Sequence, residues 1–414
     1  MLYIKFGILK MNQASNTLID YLLWGMVFVW LIIDSITGFF MSNGAHIPLS
    51  QLFKLAILFF VAVRTYEYKR TLRLLCLTSL YVVCYLLHLL LINADFIDPM
   101  VWLSKFLSIV FLYEYFRIYV FECPLKAVKN VQKAMIIGWI VVAVNVIMGL
   151  MGYGVPSYGE DAEDMGVKGF FYAGNELGGI MAVLVPFMIY LIQKKLSGVK
   201  ALLAYAMMIL IGFSVGTKSC MLITLLSVIF VPVLNTTPKR RWIILLSWVI
   251  LIVLFYSSLV NFFEDSFSSS LNKWTYSYNK GGILNLIFSG RHEYWEVKKD
   301  LFFNSSFTDQ LLGLGMDGKT VERDHLDALL AFGYFGVIMI AFFLSYLLVM
   351  AIRYRHNNSL VKVVIFSDLL ILGIGYIAGH VWFSGMASVY IALINVLPLV
   401  RYRGTLYGSQ KDFN

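Results

Sequence analysis

The sequence predicts an all-α integral membrane protein of about 12 transmembrane helices, with one long extracytoplasmic loop between the ninth and the tenth. Of its 414 residues, 60% are hydrophobic and only 14% are charged, and the mean hydropathy is +0.77. Soluble domains are about 45–50% apolar and about 25% charged, so the surface of this protein needs a solvent other than water. The spacing of the apolar runs and the placement of the basic residues indicate the same fold class.

Twelve apolar runs are long enough, or nearly so, to cross the hydrocarbon core, which takes roughly 20 residues of helix. They are Thr17–Phe40, Leu49–Val63, Leu74–Ile92, Met100–Val120, Ala134–Gly152, Ala173–Ile192, Ala201–Val215, Ser219–Leu234, Trp242–Val260, His325–Met350, Val363–Gly379 and Val381–Leu399. The first run should remain in the protein, because no small-residue cleavage site follows it. The two runs on either side of Lys218 are short enough to be partly re-entrant. We therefore expect residues 1–414 to form a single polytopic membrane domain.

The basic residues predict the orientation of these helices. The chain holds 33 Lys and Arg against 24 Asp and Glu, and most of the basic residues fall in alternate loops, among them the run Lys239-Arg240-Arg241. Cytoplasmic loops of membrane proteins carry an excess of Lys and Arg. Both termini are therefore expected in the cytoplasm and the segment Asn261–Asp324 outside. The positive charge then lies beside membrane lipid, and no basic block of the kind that binds nucleic acid occurs.

The four cysteines predict neither a redox pair nor a metal site. Cys76 and Cys84 lie in one apolar run, and neither a C-x-x-C pair nor another metal-ligand spacing occurs in the sequence. Free cysteines in apolar surroundings usually act as small packing residues. We therefore expect no metal and no cofactor.

A first candidate site in the long outer segment is Ser289-Gly290-Arg291. The residues that follow are predicted to form a helix, with Ser289 as its N-cap and Trp295 one turn after Arg291. A helix start with free N–H groups and an adjacent guanidinium suits a phosphate or a diphosphate. The alternative is that Arg291 pairs with Glu293 or Glu296 on a solvated face.

A second candidate is Lys218, in the short segment Gly216-Thr217-Lys218-Ser219 between two apolar runs. The charge rule places this segment outside, where a short loop has no need of a lone cation. Lys218 has no acidic neighbour in the sequence, so its partner must be a distant residue or a ligand. The alternative is that Lys218 only contacts lipid phosphate.

A third candidate is the ionisable cluster Glu322-Arg323-Asp324-His325-Leu326-Asp327, which precedes the tenth span. On a helix, Glu322 and His325 share a face, so a carboxylate and an imidazole could jointly take a proton from a hydroxyl. Asp324 and Asp327 share a face in the same way. The alternative is a polar cap that holds this segment at the membrane interface.

The segment Gly313-Leu314-Gly315-Met316-Asp317-Gly318 fits the pattern G-x-G-x-x-G but is not expected to bind a dinucleotide. No strand precedes it, no helix follows it at once, and the loop faces away from cytosolic nucleotides. We interpret it as a glycine turn that positions neighbouring elements.

Several charged residues lie in or near the apolar runs. Such charges usually face a bundle interior or a water-filled cavity. We expect them to pair within the protein, for instance with Lys105, and to be structural. They are Asp20, Asp34, Lys105, Glu114, Glu176 and Asp368.

These features together resemble the O-antigen ligase and polysaccharide polymerase superfamily, the Wzy-like membrane proteins. The resemblance is carried by many spans, a long outer loop with Ser289-Gly290-Arg291 and a downstream Trp295, a Gly-x-Gly turn, and an ionisable cluster followed by Gly333-x-x-Gly336. Gly216-Thr217-Lys218-Ser219 is similar to a family turn that has Arg where this chain has Lys. The motifs lie within residues 169–336, and the first five spans match only in character.

The resemblance extends to Gly169-Phe170 with Asn175, which looks like a family element before the sixth span. It implies inverting, metal-independent glycosyl transfer from an undecaprenyl-diphosphate-linked sugar chain, on the outer face of the bacterial cytoplasmic membrane. Carried over by position, Arg291 and Lys218 would bind the diphosphate leaving group. This suits the chemistry, since a departing diphosphate needs compensating positive charge.

The resemblance also implies a base that activates the acceptor hydroxyl. Counting back from Gly333 and Gly336, the usual His position of the family falls on Glu322. Related polymerases have an acidic version, Glu-x-Asp-x-x-Asp, which Glu322, Asp324 and Asp327 match. The expected base is Glu322 or Asp324, with His325 next. Further candidates for positioning the substrate are Asp327, Trp295 and Asn175.

Because the motif is the acidic one, we favour a polymerase that joins lipid-linked oligosaccharide repeat units into a capsule, an exopolysaccharide or O-antigen. One alternative is ligase-type transfer of a finished glycan to an acceptor. Another, from a different class, is a lipid-linked oligosaccharide flippase, which should show two related halves and no long outer loop. The partners implied are the lipid-linked substrate, membrane lipid, and a chain-length regulator and flippase of the same pathway.

Overall fold

The structure, a computed structural model, is helical apart from one isolated β-bridge between Pro156 and Val167 among the described residues. It describes residues 18–45, 47–157, 166–171, 173–236, 274–315, 320–354 and 358–406, together with residues 241, 242, 246, 253 and 272. The helices are α1 Leu18–Phe28, α2 Trp30–Ser42, α3 Leu49–Thr65, α4 Lys69–Leu91, α5 Ile97–Glu122, α6 Pro124–Leu150, α7 Gly174–Lys195, α8 Gly198–Ser214, α9 Lys218–Leu234, α10 274–288, α11 Arg291–Phe303, α12 Phe307–Leu312, α13 Asp324–Arg353, α14 Ser359–Ile377 and α15 Ser388–Leu406.

Five of these helices, α4, α6, α7, α13 and α14, are long and apolar enough to cross a membrane. Helices α1 and α2 meet at a 50° bend and count as one more if they form a single span. Shorter apolar helices are α8, α9 and the segment Ser388–Val400 of α15. The predicted class, an all-helical multi-pass membrane protein, is therefore confirmed. Most of the expected run Trp242–Val260, the basic pair Lys239-Arg240 and both chain ends lie outside the described residues.

The centre of the bundle is formed by α7 and α15. Residues 176–187 of α7 and 383–400, which include most of α15, are buried without interruption. Helix α5 packs along α15 and contributes a continuous face of aromatic and aliphatic side chains to the same core. Burial of apolar side chains between helices replaces lipid contacts by close packing, which stabilises association inside a membrane.

Two expected helices differ from the prediction. The run Val381–Leu399 was expected to be helical throughout, but α15 begins only at Ser388, and residues 378–387 form a series of turns. The prediction failed because the backbone N–H groups of residues 380–382 bind the carboxylate of Asp324 instead of entering a helix. Helix α13 is broken at Gly333, whose φ of 63° and ψ of −168° are not helical.

The break in α13 receives the glycine turn that follows α12. A Cβ on Gly313 would lie 2.2 Å from the carbonyl oxygen of Ala331, and a Cβ on Gly333 would lie 2.5 Å from the carbonyl of Leu311. Only glycine allows the two backbones to approach this closely. The imidazole of His88 also lies 2.8 Å from the Gly313 oxygen. The turn positions neighbouring elements, as predicted, and residues 316–318 lie outside the described part.

The charged residues of the apolar runs take partners inside the bundle. Asp20 pairs with Arg64 at 2.9 Å, and Asp34 pairs with Lys54 at 2.7 Å. Lys105 pairs with Glu176 at 3.0 Å. The remaining two are Glu114, which pairs with Arg70 and Arg117, and Asp368, which accepts a hydrogen bond from Asn395.

Candidate active site

The three sequence candidates meet at one end of the bundle, here called the site end. It consists of the turn before α9, the junction of α10 and α11, the turn before α13 and the turns 378–387 between α14 and α15. Residues far apart in the chain, among them Lys218, Arg291 and Glu322, lie together there. Arg64, in the last turn of α3, and Arg117, near the end of α5, belong to the opposite end of the bundle.

Arg291 forms an ion pair with Glu322. Its Nη2 lies 2.9 Å from Oε2 of Glu322, and its Nε donates to the same oxygen at 3.0 Å. The Arg291 side chain is 14% exposed and that of Glu322 is 39% exposed, so the carboxylate faces solvent while the guanidinium lies beneath it. Neither sequence alternative for Arg291 is observed, because Glu293 pairs with Lys280 and Glu296 with Lys299.

The start of α11 differs from the prediction in one respect. Its N-cap is Gly290, with a φ of 83°, and not Ser289. The Ser289 hydroxyl instead accepts a hydrogen bond from Lys218 at 3.1 Å. Gly290 has no side chain that could accept the first N–H groups of α11. This helix start therefore suits an anion.

Lys218 is the first residue of α9 and reaches across to the end of α10. Its Nζ donates to the carbonyl oxygen of Leu286 at 2.9 Å and lies 5.8 Å from the ring centre of Trp274. An ammonium group at a helix C-terminus is favoured by the carbonyl dipoles that end there. Lys218 also contacts Ser289, two residues before Arg291.

Asp324 fixes the turns after α14. Its side chain is fully buried and accepts backbone N–H groups from His380 at 2.5 Å, Val381 at 2.9 Å and Trp382 at 2.8 Å. Both oxygens of this carboxylate thus accept backbone N–H groups of the turns after α14. This placement favours a structural role for Asp324 over that of a proton acceptor.

Asp327 fixes the turn that carries Glu322. Its carboxylate accepts the backbone N–H of Val321 at 2.6 Å and that of Arg323 at 3.0 Å. Glu322 lies between these two donors with a left-handed φ of 59°. This contact acts on the backbone of Glu322, and the expected role of Asp327 in positioning the substrate stays a prediction.

His325 faces away from the ion pair, against α14. Its ring stacks on Tyr376 with centres 4.4 Å apart and an interplanar angle of 10°. The Arg323 guanidinium lies 4.9 Å from the same tyrosine ring and 4.3 Å from the ring of Phe288 on α10. His325 and Arg323 thus join α10, α13 and α14 through stacked rings.

Trp295 and Asn175 lie at the edges of this region. Trp295 packs against a small apolar cluster of Phe302, Val321 and Leu330, which holds α11 against the turn before Glu322. Asn175 lies in the first turn of α7, beside the buried Glu176. Trp295 is thus near the turn that carries Glu322, and Asn175 is at the start of α7.

The segment Gly169-Phe170 packs against α6. The N–H of Phe170 donates to the side chain of Asn145 at 3.1 Å, and a Cβ on Gly169 would lie 2.2 Å from the Asn145 carbonyl oxygen. A Cβ on the neighbouring Gly166 would lie 2.5 Å from the Cα of Gly216. This loop therefore covers the turn that presents Lys218.

Left-handed backbone marks the site end. Among the described residues, the non-glycine positions with positive φ are Asn93, Ser289, Glu322 and His380. Three of the four belong to this surface. A left-handed conformation costs about 1–3 kcal/mol for most residues and persists only where surrounding contacts impose it, which is common at functional sites.

His380 is the principal residue that sequence reasoning missed. It is half-buried, and its ring packs edge to face against that of Trp102, with ring centres 5.4 Å apart. Burial lowers the pKa of its imidazole, the charges of Glu176 and Glu322 raise it, and those of Lys105 and Arg291 lower it, with a net decrease. The visible signal was an imidazole directly after Gly379, between two apolar runs.

The described residues contain no group of three or more His, Cys, Asp or Glu side chains that could hold a metal ion. The arrangement instead offers two cationic side chains, a partly exposed carboxylate and a nearby imidazole around one turn. Such a set can bind an anionic leaving group and accept a proton.

Comparison with known proteins gives one family. The family model described as O-antigen ligase like membrane protein matches residues 21–270 and 263–403, which is most of the chain. Curated proteins and solved structures yielded no match. The two matched segments together span residues 21–403, which include all of the residues that meet at the site end, and the chain therefore belongs to the O-antigen ligase-like family of membrane proteins.

Proposed function

We propose that the protein polymerises undecaprenyl-diphosphate-linked oligosaccharide repeat units into a surface polysaccharide. Membership of its family implies an enzyme of the glycosyltransferase type in lipid-linked polysaccharide assembly. The observation that carries the proposal is the contact of Arg291 with Glu322, 31 positions apart, beside Lys218. It brings leaving-group stabilisation and proton acceptance to one place.

In this proposal Lys218 and Arg291 bind the diphosphate of the donor. The bond between the anomeric carbon and the diphosphate oxygen breaks, and negative charge develops on the leaving group between the two cations. An acceptor hydroxyl attacks from the opposite face of the sugar, which inverts the configuration. The two side chains, and no cofactor, supply the positive charge.

Glu322 takes the hydroxyl proton in this proposal. Its carboxylate is the most exposed member of the pair, and its backbone is held by the two N–H contacts of Asp327. The diphosphate competes with Glu322 for Arg291, so donor binding frees the carboxylate when a base is needed. The carboxylate of Asp324 already accepts three backbone N–H groups, so His325, whose ring stacks on Tyr376, is the second candidate.

We further propose 12 transmembrane segments, as the apolar runs indicate, in one polytopic domain with cytoplasmic termini and the site end outside. Arg64, Arg70 and Arg117 lie at the opposite end, as the positive-inside rule requires of the cytoplasmic face. A single cysteine in place of Lys280 should react with a membrane-impermeant maleimide in intact cells. Labelling only after permeabilisation would reverse the orientation.

The decisive experiment is the Arg291→Ala variant, assayed as purified full-length protein with lipid-linked repeat units. We expect turnover to fall by about 10²–10³-fold, the usual loss for one donor to a developing oxyanion. The matched control is Arg353→Ala, in the last turn of α13 and away from the site. Normal polymer from the Arg291→Ala protein at wild-type abundance would exclude this mechanism.

The same family supports ligase activity as a second candidate. Mass analysis of the lipid-linked glycans that accumulate in a deletion strain separates the two. Single repeat units indicate a polymerase, and full-length lipid-linked polymer indicates a ligase.

A further inference from the structure

His380 lies next to the proposed base through the backbone. Gly379 packs directly on the peptide of Glu322, since a Cβ on Gly379 would lie 2.5 Å from the Glu322 carbonyl carbon and oxygen. The N–H of His380 donates to Asp324, and its φ is 59°, the same left-handed value as at Glu322. The contact of Gly379 with Glu322 and the hydrogen bond from His380 to Asp324 thus keep two strained residues, Glu322 and His380, close together.

Two ion pairs lie near the His380 ring, Arg291 with Glu322 and Lys105 with Glu176. All four charges are close enough to shift the pKa of the imidazole. The edge contact with Trp102 restricts the ring. The fifth charged group nearby is Asp324, which binds the His380 N–H and not its ring.

We propose that His380 is a positioning residue that acts through Glu322 by receiving the proton that Glu322 takes from the acceptor hydroxyl. This inference rests on the function proposed above. The hydroxyl O–H bond breaks as the new glycosidic bond forms, Glu322 becomes protonated, and the proton passes to the neutral imidazole and then to solvent. Glu322 returns to the carboxylate before the next sugar transfer.

The surroundings of His380 suit this role. Burial keeps the imidazole neutral by lowering its pKa, so a nitrogen lone pair is free to accept a proton. When Arg291 turns to the diphosphate, the charge of Glu322 is no longer compensated. Because a neighbouring negative charge raises the pKa of an imidazole, His380 becomes a better proton acceptor when the donor is bound.

The test is steady-state kinetics of the purified full-length protein with lipid-linked repeat units from pH 5 to 9. His380→Asn keeps a residue that tolerates a left-handed backbone but cannot accept the proton. We expect kcat to fall by about 10²-fold with an unchanged KM for the donor. The wild-type kcat should fall as the pH drops through the pKa that His380 has in the donor complex, and the variant should lack this part of the acidic limb. A wild-type kcat and pH profile in His380→Asn would overturn the proposal.

A second variant removes the ring and the backbone strain together. His380→Gly favours the observed φ and leaves room for free imidazole. Added imidazole should restore part of the turnover if the role is proton transfer. Loss of activity that imidazole does not restore would mean a purely structural role and would overturn the proposal. Asn93→Gly is the matched control, because Asn93 also has a left-handed φ, of 54°, but is not among the residues of the site end, and it should leave kcat unchanged.

The outcome is separable from that of the proposed function. If Glu322→Gln is inactive and His380→Asn is normal, only the role of His380 is wrong. If Glu322→Gln and Arg291→Ala both retain full turnover, the proposed mechanism itself fails, and the His380 inference fails with it.

Discussion

Charged side chains have different partners at the two ends of the helix bundle. At the end opposite the site, Arg64 pairs with Asp20 and Glu122, and Glu114 pairs with Arg70 and Arg117. Every one of these residues lies in or at the end of a regular helix, and each contact joins one side chain to another. At the site end, Asp324 and Asp327 bind backbone N–H groups of turns instead.

This difference separates structural charges from candidate functional ones. Side-chain pairs between helices compensate buried charge and tie helices together. Carboxylates that bind turns determine backbone conformation, and they impose the left-handed φ of Glu322 and His380. Glu322, in the turn that Asp327 fixes, forms a partly exposed ion pair with Arg291. Charge alone therefore does not distinguish the two ends, whereas strained backbone beside charge does.

The largest effect that sharpens this comparison is expected at Glu322. Glu322→Gln keeps the size of the side chain but removes the proton acceptor, so turnover should fall by about 10²–10⁴-fold. The measurement is kcat with lipid-linked repeat units. Glu296→Gln, on the exposed face of α11, is the matched control and should behave as wild type. Full activity of Glu322→Gln together with an inactive His325→Gln would move the base to His325.

A second test concerns Lys218, the cation that contacts Ser289. Lys218→Ala should lower kcat by about 10²–10³-fold, because one of two charges on the leaving group is lost. Lys218→Arg should retain activity, since the charge remains and the family resemblance has Arg at this place. Lys280→Ala removes an exposed lysine that pairs with Glu293 and should have no effect. Equal activity of the Ala and Arg variants would show that Lys218 only supports α10.

A third test asks whether Asp324 stabilises the backbone of residues 380–382. Asp324→Asn places an amide N–H₂ against three N–H donors, so the free energy of unfolding should fall by about 1–3 kcal/mol. Thermal denaturation in detergent measures this change. A variant of unchanged stability that has lost turnover would instead assign Asp324 to the chemistry.

The smallest effect is expected at the opposite end. The Arg70 side chain is 54% exposed and pairs with Glu114, which also pairs with Arg117. Arg70→Ala should therefore change stability by about 0–1 kcal/mol and leave polymer formation unaltered. Polymer yield and chain length on a gel are the readout. A clear loss of polymer would break the distinction between the two ends.

Several features of the site followed from the sequence alone. Lys218 was identified as an isolated cation beside apolar runs, Arg291 as a guanidinium at a predicted helix start, and Glu322 as a member of an ionisable cluster at the family's base position. The Gly313 turn was recognised because no strand or helix surrounds it in the manner of a nucleotide site. His380 was passed over because a single imidazole at the end of an apolar run has no local pattern. The N-cap prediction for Ser289 was wrong and the backbone contacts of Asp324 were not foreseen, because both depend on partners 56 or more residues away.

The sequence by itself determined the helical membrane class and the approximate limits of most helices, because the partition of a segment between water and lipid depends mainly on its own composition. Tertiary structure alone decided that Arg291 meets Glu322, that Lys218 reaches α10, and that three N–H groups after α14 bind Asp324. These contacts depend on which helix ends lie side by side. Hydropathy carries no information on that arrangement, because every apolar helix is equally at home in lipid and its neighbours are selected by packing.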